Sequence, residues 1–275
     1  MIEFIKMSGA GNDFIIIDGR KNNYQFSADQ IAKISARHNI GCDQFILLED
    51  CLRADIFMHI YNSNGSRSGA CGNATRCVAS LLFEENLQQN ELKIKTDSGI
   101  LTSKKENGDL ICVNMGQPKF AWQDIPLSRK IETNSFSISP FDNFSFSAVN
   151  MGNPHIVSFV KQDLNDKDFF NIAPQLEVNP LFTQKTNVEF ARIISPNHIN
   201  VHVWERGVGE TLACGSGACA VVVAAINNGL VEKNQRVKVS FKGGDLFILW
   251  QKNGVIMSGD VQKIFKGVLD ENFLS

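Results

Sequence analysis

Two cysteines, Cys71 and Cys214, each stand among small residues at the head of an apolar-periodic segment. The segments are "GACGNATRCVASLLF" (Gly69 to Phe83) and "LACGSGACAVVVAAI" (Leu212 to Ile226), and the two thiols are 143 residues apart. At a helix start, unpaired backbone N–H groups and the positive end of the helix dipole favour anions. Gly72 and Asn73 in one segment, and Gly215 and Ser216 in the other, would offer those N–H groups to a carboxylate. The same field stabilises a thiolate, so each thiol pKa is expected to fall from about 8.5 toward neutrality. Two such starts, brought to one small molecule from opposite sides, suit moving a proton from one face of a carbon to the other.

The other five cysteines carry no such context. Cys77 and Cys219 lie on apolar helix faces, and Cys42, Cys51 and Cys112 read as packing residues. An odd count of seven without an export signal argues against a disulfide framework. No C-x-x-C or H-E-x-x-H occurs, and "CGNATRC" and "CGSGAC" fall outside zinc-ligand spacings, so no metal is expected. No G-x-G-x-x-G opens a helix, so no nucleotide cofactor is expected either.

The elements that must position the thiols repeat. "DIFMHIYN" (Asp55 to Asn62) falls on "HINVHVWE" (His198 to Glu205) at the offset of the cysteines, and Gln44 in "CDQFILL" falls on Asn187 in "TNVEFAR". "GNDFIII" resembles "GNPHIVSF" at an offset of 141, and "LKIKTDSGIL" matches "VKVSFKGGDL" at 145. One supersecondary plan is used twice. Period-2 runs such as "EFIK", "DFIIID", "QFILL", "IFMHIY", "LKIKT", "ILTS" and "LICVN" predict strands. "ADQIAKISARH" predicts a helix, as does the segment after Cys71, with Ala74, Cys77, Val78, Leu81 and Leu82 on one face. In the second half one helix is assigned, after Cys214, apolar nearly all round until the capping Gly229. The fold expected is α+β, with two pseudo-symmetric domains, each a curved, mostly antiparallel sheet wrapped around a central helix, and the active site between them. The polar stretch "GQPKFAWQDIPLSRK" suggests domains over 1–115, with 261–275 returning to the first, and 116–260.

Composition narrows the partners. Apolar residues make up 43% of 275, enough for real cores, and 27 basic residues nearly balance 29 acidic ones. No basic patch with interleaved aromatics points to nucleic acid or an anionic membrane. The longest apolar run, "ACAVVVAAI", is far short of the roughly 20 residues of a membrane span. "MIEFIKMSGAGNDF" lacks the sections of a signal peptide, so a cytoplasmic location is expected.

The strings "MSGAGNDF", "GCDQF", "YNSNGS…ACGNATRC", "MGNPH", "TNVEF" and "WERGVGETLACGSGACA" together resemble the diaminopimelate epimerase family, over nearly the whole chain. The resemblance implies a cofactor-independent, homodimeric isomerase that interconverts LL- and meso-2,6-diaminopimelate in lysine and cell-wall precursor synthesis. It makes Cys71 the proton donor and Cys214 the proton acceptor in the LL to meso direction, with His155 and Glu205 tuning the thiols. Substrate contacts would come from Asn12, Gln44, Asn62, Asn153, Asn187, Glu205 and Arg206, and from the N–H groups of Gly72, Asn73, Gly215 and Ser216. Three positions depart from the family pattern. Asn64 stands where Asp is usual, Ala74 where Gly is common, and Phe265 where a tyrosine linked to dimerisation is frequent. His59 and His202, in mid-strand, read as structural.

Two other readings compete. A racemase of the proline or hydroxyproline type would need a pocket for a single carboxylate, against which Glu205 and Arg206 argue. A thiol redox or binding protein would pair Cys71 with Cys214, but no adjacent resolving cysteine supports it.

Overall fold

Parallel strand pairs need a crossover, and four helices of this chain serve as crossovers. The computed structural model describes residues 1–106 and 110–274. Two units divide the chain, one of Met1–Asn114 with Ser258–Ser275, the other of Met115–Met257.

In the first unit β1 (Ile2–Gly9) and β2 (Asn12–Asp18) form a hairpin, with Gly9 opposite Asn12. The two turn residues, Ala10 and Gly11, both have positive φ, 51° and 83°, the primed turn whose twist suits a two-residue hairpin. The chain crosses through α1 (Ala28–Ser35) to β3 (Gln44–Glu49), parallel to β2, and β4 (Ile56–Asn62) returns antiparallel with the short β5 (Arg67–Ser68) beside it. A second crossover, α2 (Gly72–Glu85), leads to β6 (Glu91–Thr96), parallel to β4. β7 (Gly99–Glu106) and β8 (Leu110–Asn114) complete an antiparallel meander.

The second unit repeats this order: β9 (Phe146–Asn150) and β10 (Pro154–Phe159), α3 (Asp166–Glu177), β11 (Asn187–Ser195), β12 (His198–Glu205), β13 (Gly209–Glu210), α4 (Gly215–Asn227), β14 (Val237–Phe241) and β15 (Gly244–Gln251). Again the pairs bridged by helices, β10 with β11 and β12 with β14, are parallel and the rest antiparallel. β16 (Gly254–Gly259) leads to β17 (Gln262–Leu269), antiparallel to β1, and to the terminal turn α5 (Glu271–Leu274). The two-repeat, largely antiparallel α+β architecture expected from the sequence is the one observed.

Each unit wraps its sheet around one helix. α2 packs against β1, β2, β6, β7 and β8, and α4 against β9, β10, β11, β14 and β15. The stripe Ala74, Cys77, Val78, Leu81 and Leu82 is buried as predicted, and Val221, Val222 and Val223 of α4 are all fully buried, consistent with a helix apolar on every side. Each such valine stabilises by roughly 1.5–3 kcal/mol. α4 ends as expected: the N–H of Gly229 donates to Ile226 O and that of Leu230 to Ala225 O.

Two helices differ from expectation. α1 stops at Ser35 rather than running to His38, because Gly41 and Cys42 donate their N–H groups to Ile34 O and Ser35 O. α3 has no counterpart in the sequence reading. Asn165 caps it through the Asp168 N–H, and Phe169, Ala173 and Leu176 bury its inner face despite Pro174 in the last turn. Among the described residues no helix is long and apolar enough to cross a membrane.

Candidate functional site: two cysteine-capped helix starts

Both chemistry-bearing cysteines are N-cap residues. Cys71 (φ −143°, ψ 112°) and Cys214 (φ −127°, ψ 117°) are extended, and their carbonyls accept the first helical bonds from Thr75 N and Ala218 N at 2.9 Å each. Gly72 and Asn73, and Gly215 and Ser216, therefore hold the first two N–H positions, where no helical acceptor exists.

In the first unit Cys71 packs against the apolar core, and amide pairs form at the start of α2 and at the ends of β3 and β4. Asn73 Nδ2 donates to Asn12 Oδ1 at 2.6 Å, and Arg76 Nη1, on a fully buried guanidinium, donates to Asn73 Oδ1 at 2.9 Å. Gln44 Nε2 donates to Asn62 Oδ1 at 3.3 Å, and Asn62 Nδ2 to Ser66 Oγ at 3.0 Å. Thus Asn12 meets Asn73, and Gln44 meets Asn62. Asn64 accepts from Ser66 N at 3.0 Å, a turn its side-chain carbonyl builds as an aspartate would.

A charge cluster anchors the strand ends that carry Asn12 and Gln44. Asp13 receives Lys6 Nζ at 2.5 Å and both arms of Arg37, at 2.7 and 2.9 Å. Arg37 also reaches Asp43, whose carboxylate accepts from Asp13 N while Asp13 accepts from Asp43 N. Lys6 Nζ also donates to Gly41 O. Burial acts to raise the Asp13 carboxyl, but Arg37 and Lys6 outweigh it and hold its pKa at about 2. Burial pushes Asp43 the other way, upward, and the neighbouring Asp13 charge adds to this.

The second unit surrounds Cys214 with acids. The Glu205 carboxylate interacts with its thiol, and Glu205 Oε1 accepts from Thr211 Oγ1 at 2.6 Å. Ser216 Oγ lies 3.5 Å from Sγ and Gly217 N donates to it at 3.4 Å. His155 is clamped, Nδ1 to Glu189 Oε1 at 2.6 Å and Nε2 to Asn153 Oδ1 at 2.8 Å. Asn187 Nδ2 donates to Pro154 O, and Asn187 Oδ1 accepts from Arg206 N, which fixes the backbone beside Glu205. The Arg206 guanidinium lies on Gln184 O at 3.2 Å and makes no ion pair with Glu205. Asn153, Asn187 and Glu205 thus gather with Cys214 and His155, whereas Arg206 joins them through its backbone alone.

One expectation is reversed. Burial raises the Cys214 pKa well above that of an ordinary thiol, and the charges of Glu205 and Glu189 raise it further, outweighing Ser216 and the Gly217 N–H. The helix start alone does not decide the thiol's state, because two carboxylates, the fully buried Glu189 and the half-buried Glu205, oppose it. Burial likewise lifts the Glu205 carboxyl. Cys77, inside the core, is pushed up to about 12 by burial, in keeping with a packing residue.

Glu189 is the residue that sequence reasoning missed. It lies in "NVEFA" (187–191), a strand buried on both faces, and is itself fully buried. Glutamate is almost never fully buried unless paired, so an acid inside a doubly buried strand is the signal that could have found it. His59 and His202 remain structural: His59 bonds Glu49 at 2.7 Å, and His202 stacks on Phe169 at 3.4 Å.

The sequence pattern of the diaminopimelate epimerase family matches residues 4–121 and 147–264. Among curated relatives, the diaminopimelate epimerase of Acidiphilium cryptum is 44% identical, covering 99% of this chain and 98% of that one. That of Pelagibacter ubique is 45% identical, over 96% and 97%. Solved structures share the fold at low identity. A probable proline racemase from Agrobacterium radiobacter K84 superposes with a TM-score of 0.69 at 12% identity, over 98% of this chain and 93% of its own. A phenazine biosynthesis protein of the PhzF family from Bacillus anthracis does so at 0.67 and 15%, over 98% and 99%.

Proposed function

The chain belongs to the diaminopimelate epimerase family, so its reaction is the epimerisation of diaminopimelate, and we propose that it exchanges the LL and meso forms by two-thiol proton transfer without a cofactor. The observation that carries this reading is the matched placement of Cys71 and Cys214 at helix starts, with a carboxylate set against one thiol. The reading requires both half-sites to act on one substrate carbon.

The α-hydrogen of an amino acid is very weakly acidic, so the carbanion formed on its removal must be stabilised where its charge develops. The N–H groups of Gly72, Asn73, Gly215 and Ser216 suit the substrate α-carboxylate, on which that charge accumulates. In the LL to meso direction Cys214 takes the α-hydrogen as thiolate and Cys71 gives its own proton to the opposite face. In reverse the roles exchange. Glu205, whose carboxylate interacts with the Cys214 thiol, suits receiving and returning the thiol's proton, and His155 orders the same half-site. The amides of Asn12, Gln44, Asn62, Asn153 and Asn187 suit the ammonium and carboxylate groups of a substrate carrying two of each, with the Arg206 guanidinium for the distal carboxylate.

The family resemblance also carries a cytoplasmic homodimer serving lysine and peptidoglycan precursor synthesis. Ile264, Phe265 and Val268 on β17 are exposed apolar residues that a second copy would cover. The test is to incubate reduced protein with LL-diaminopimelate and, separately, with L-proline, following both by chiral chromatography. Conversion of diaminopimelate alone is expected; racemisation of proline, or no change in diaminopimelate, overturns the reading.

A further inference from the structure

We propose that Glu189 is a positioning residue of the Cys214 half-site, clamping His155 and setting a second carboxylate charge against the start of α4 so that Cys214 rests as S–H. This rests on the two-thiol reading above. Glu189 and His155 are both fully buried, and their Oε1 to Nδ1 contact is 2.6 Å. Both ring nitrogens of His155 face oxygen atoms; a carboxylate oxygen accepts, so Nδ1 carries a hydrogen toward Glu189 Oε1, while Nε2 lies against Asn153 Oδ1. The second oxygen, Oε2, has no hydrogen-bond partner among the described residues, so part of the charge stays uncompensated in the interior.

The approach to α4 is equally close. A Cβ at Gly217 would lie 2.8 Å from Glu189 Oε1 and 3.4 Å from Cys214 Sγ, so only glycine lets the carboxylate and the thiol share this corner. The N–H groups of the helix start offset the cost of burying the carboxylate there. Strand register delivers it: Glu189 stands opposite Val157 of β10 and Val203 of β12, two residues from Asn187 on the same face of β11. The charged and titratable groups facing this corner are His155 from β10, Glu205 from β12 and Cys214 from α4, and the last is raised by burial first, then by the Glu205 charge and the Glu189 charge. A core position that needed only volume would take glutamine or leucine without loss; a position that sets the state of a thiol would not.

The test reads Cys214 directly. Full-length protein is alkylated with iodoacetamide across a pH series, and the Cys214 peptide is quantified by mass spectrometry, the midpoint rather than the rate being compared. Glu189→Gln, nearly the same shape without the charge, is expected to lower the midpoint by roughly one pH unit or more. In the meso to LL direction, where Cys214 delivers its S–H proton, it should lower kcat about tenfold or more while KM for diaminopimelate stays within about twofold, since Glu189 lies behind the groups that would touch substrate. Glu189→Asp keeps the charge on a shorter stem, so the midpoint stays high while kcat falls with the lost His155 contact. An unchanged midpoint in folded Glu189→Gln overturns the proposal. Should that variant not fold, a Glu189→Asp midpoint fallen to an ordinary thiol value overturns it instead. The midpoint reports on Cys214 whether or not it is catalytic, whereas full turnover by Cys214→Ala would overturn the two-thiol reading alone.

Discussion

Asn73 Nδ2 lies 2.6 Å from Asn12 Oδ1, so the start of α2 is tied by one hydrogen bond to the hairpin that begins β2. Both residues belong to motifs read from the sequence as substrate contacts, and Asn73 is also the acceptor for the buried Arg76. Asn73→Ala removes both links and leaves a buried guanidinium arm without that oxygen. It is expected to destabilise the first unit by about 1–3 kcal/mol and to raise KM for diaminopimelate. Urea unfolding and initial-rate kinetics check the two halves of this expectation.

Glu205→Gln keeps the shape beside Cys214 but removes the charge that accepts its proton. Proton transfer by a positioned side chain contributes about 10²–10⁴-fold, so kcat is expected to fall by about 10²-fold or more while the melting temperature changes little. A variant with wild-type kcat would remove Glu205 from the chemistry.

The Asp13 cluster makes a pH prediction. The folded-state pKa of Asp13, about 2, lies below its ordinary 3.8, so its contribution to stability is fully present above the ordinary value and is lost as pH falls through the folded one. With an 18% exposed side chain the contribution is about 2 kcal/mol. Asp43, shifted upward, works in the opposite sense and offsets part of it. Asp13→Asn should therefore be less stable than wild type at pH 7, with the difference shrinking between about pH 4 and pH 2 in denaturant titrations.

Gly217→Ala tests the corner where Glu189 meets α4. A methyl group 2.8 Å from Glu189 Oε1 must displace the carboxylate or the helix start, at a cost of about 1–3 kcal/mol. Activity is expected to fall more than stability does, because the displaced groups are those around the Cys214 thiol. Thermal melts and initial rates on one preparation make the comparison.

What the sequence made legible was periodic or repeated. Helices α2 and α4 were readable because small residues precede a buried stripe in both, and the pairing of Gln44 with Asn187 and of Asn62 with Glu205 came from the repeat itself. What escaped depended on contacts between segments distant in sequence. The end of α1 is set by Gly41 and Cys42 returning to its last carbonyls, which no local pattern announces. α3 carries a short apolar stripe and a proline, so its periodicity was weak until Phe169 and Leu176 found the sheet. The state of Cys214 was misjudged because its helix start was visible in sequence, whereas the approach of Glu189 from another strand was not.

The central claim is that two thiols, each with a single proton, serve opposite faces of one carbon, and epimerisation in D2O tests it most directly. If Cys214 removes the α-hydrogen of LL-diaminopimelate, Cys71 must deliver a different hydrogen, already exchanged with solvent. At an early time point, newly formed meso product should carry deuterium at the inverted carbon, while recovered LL substrate carries little. Substantial carry-over of the original hydrogen into the product would mean one base serving both faces, and would contradict the account.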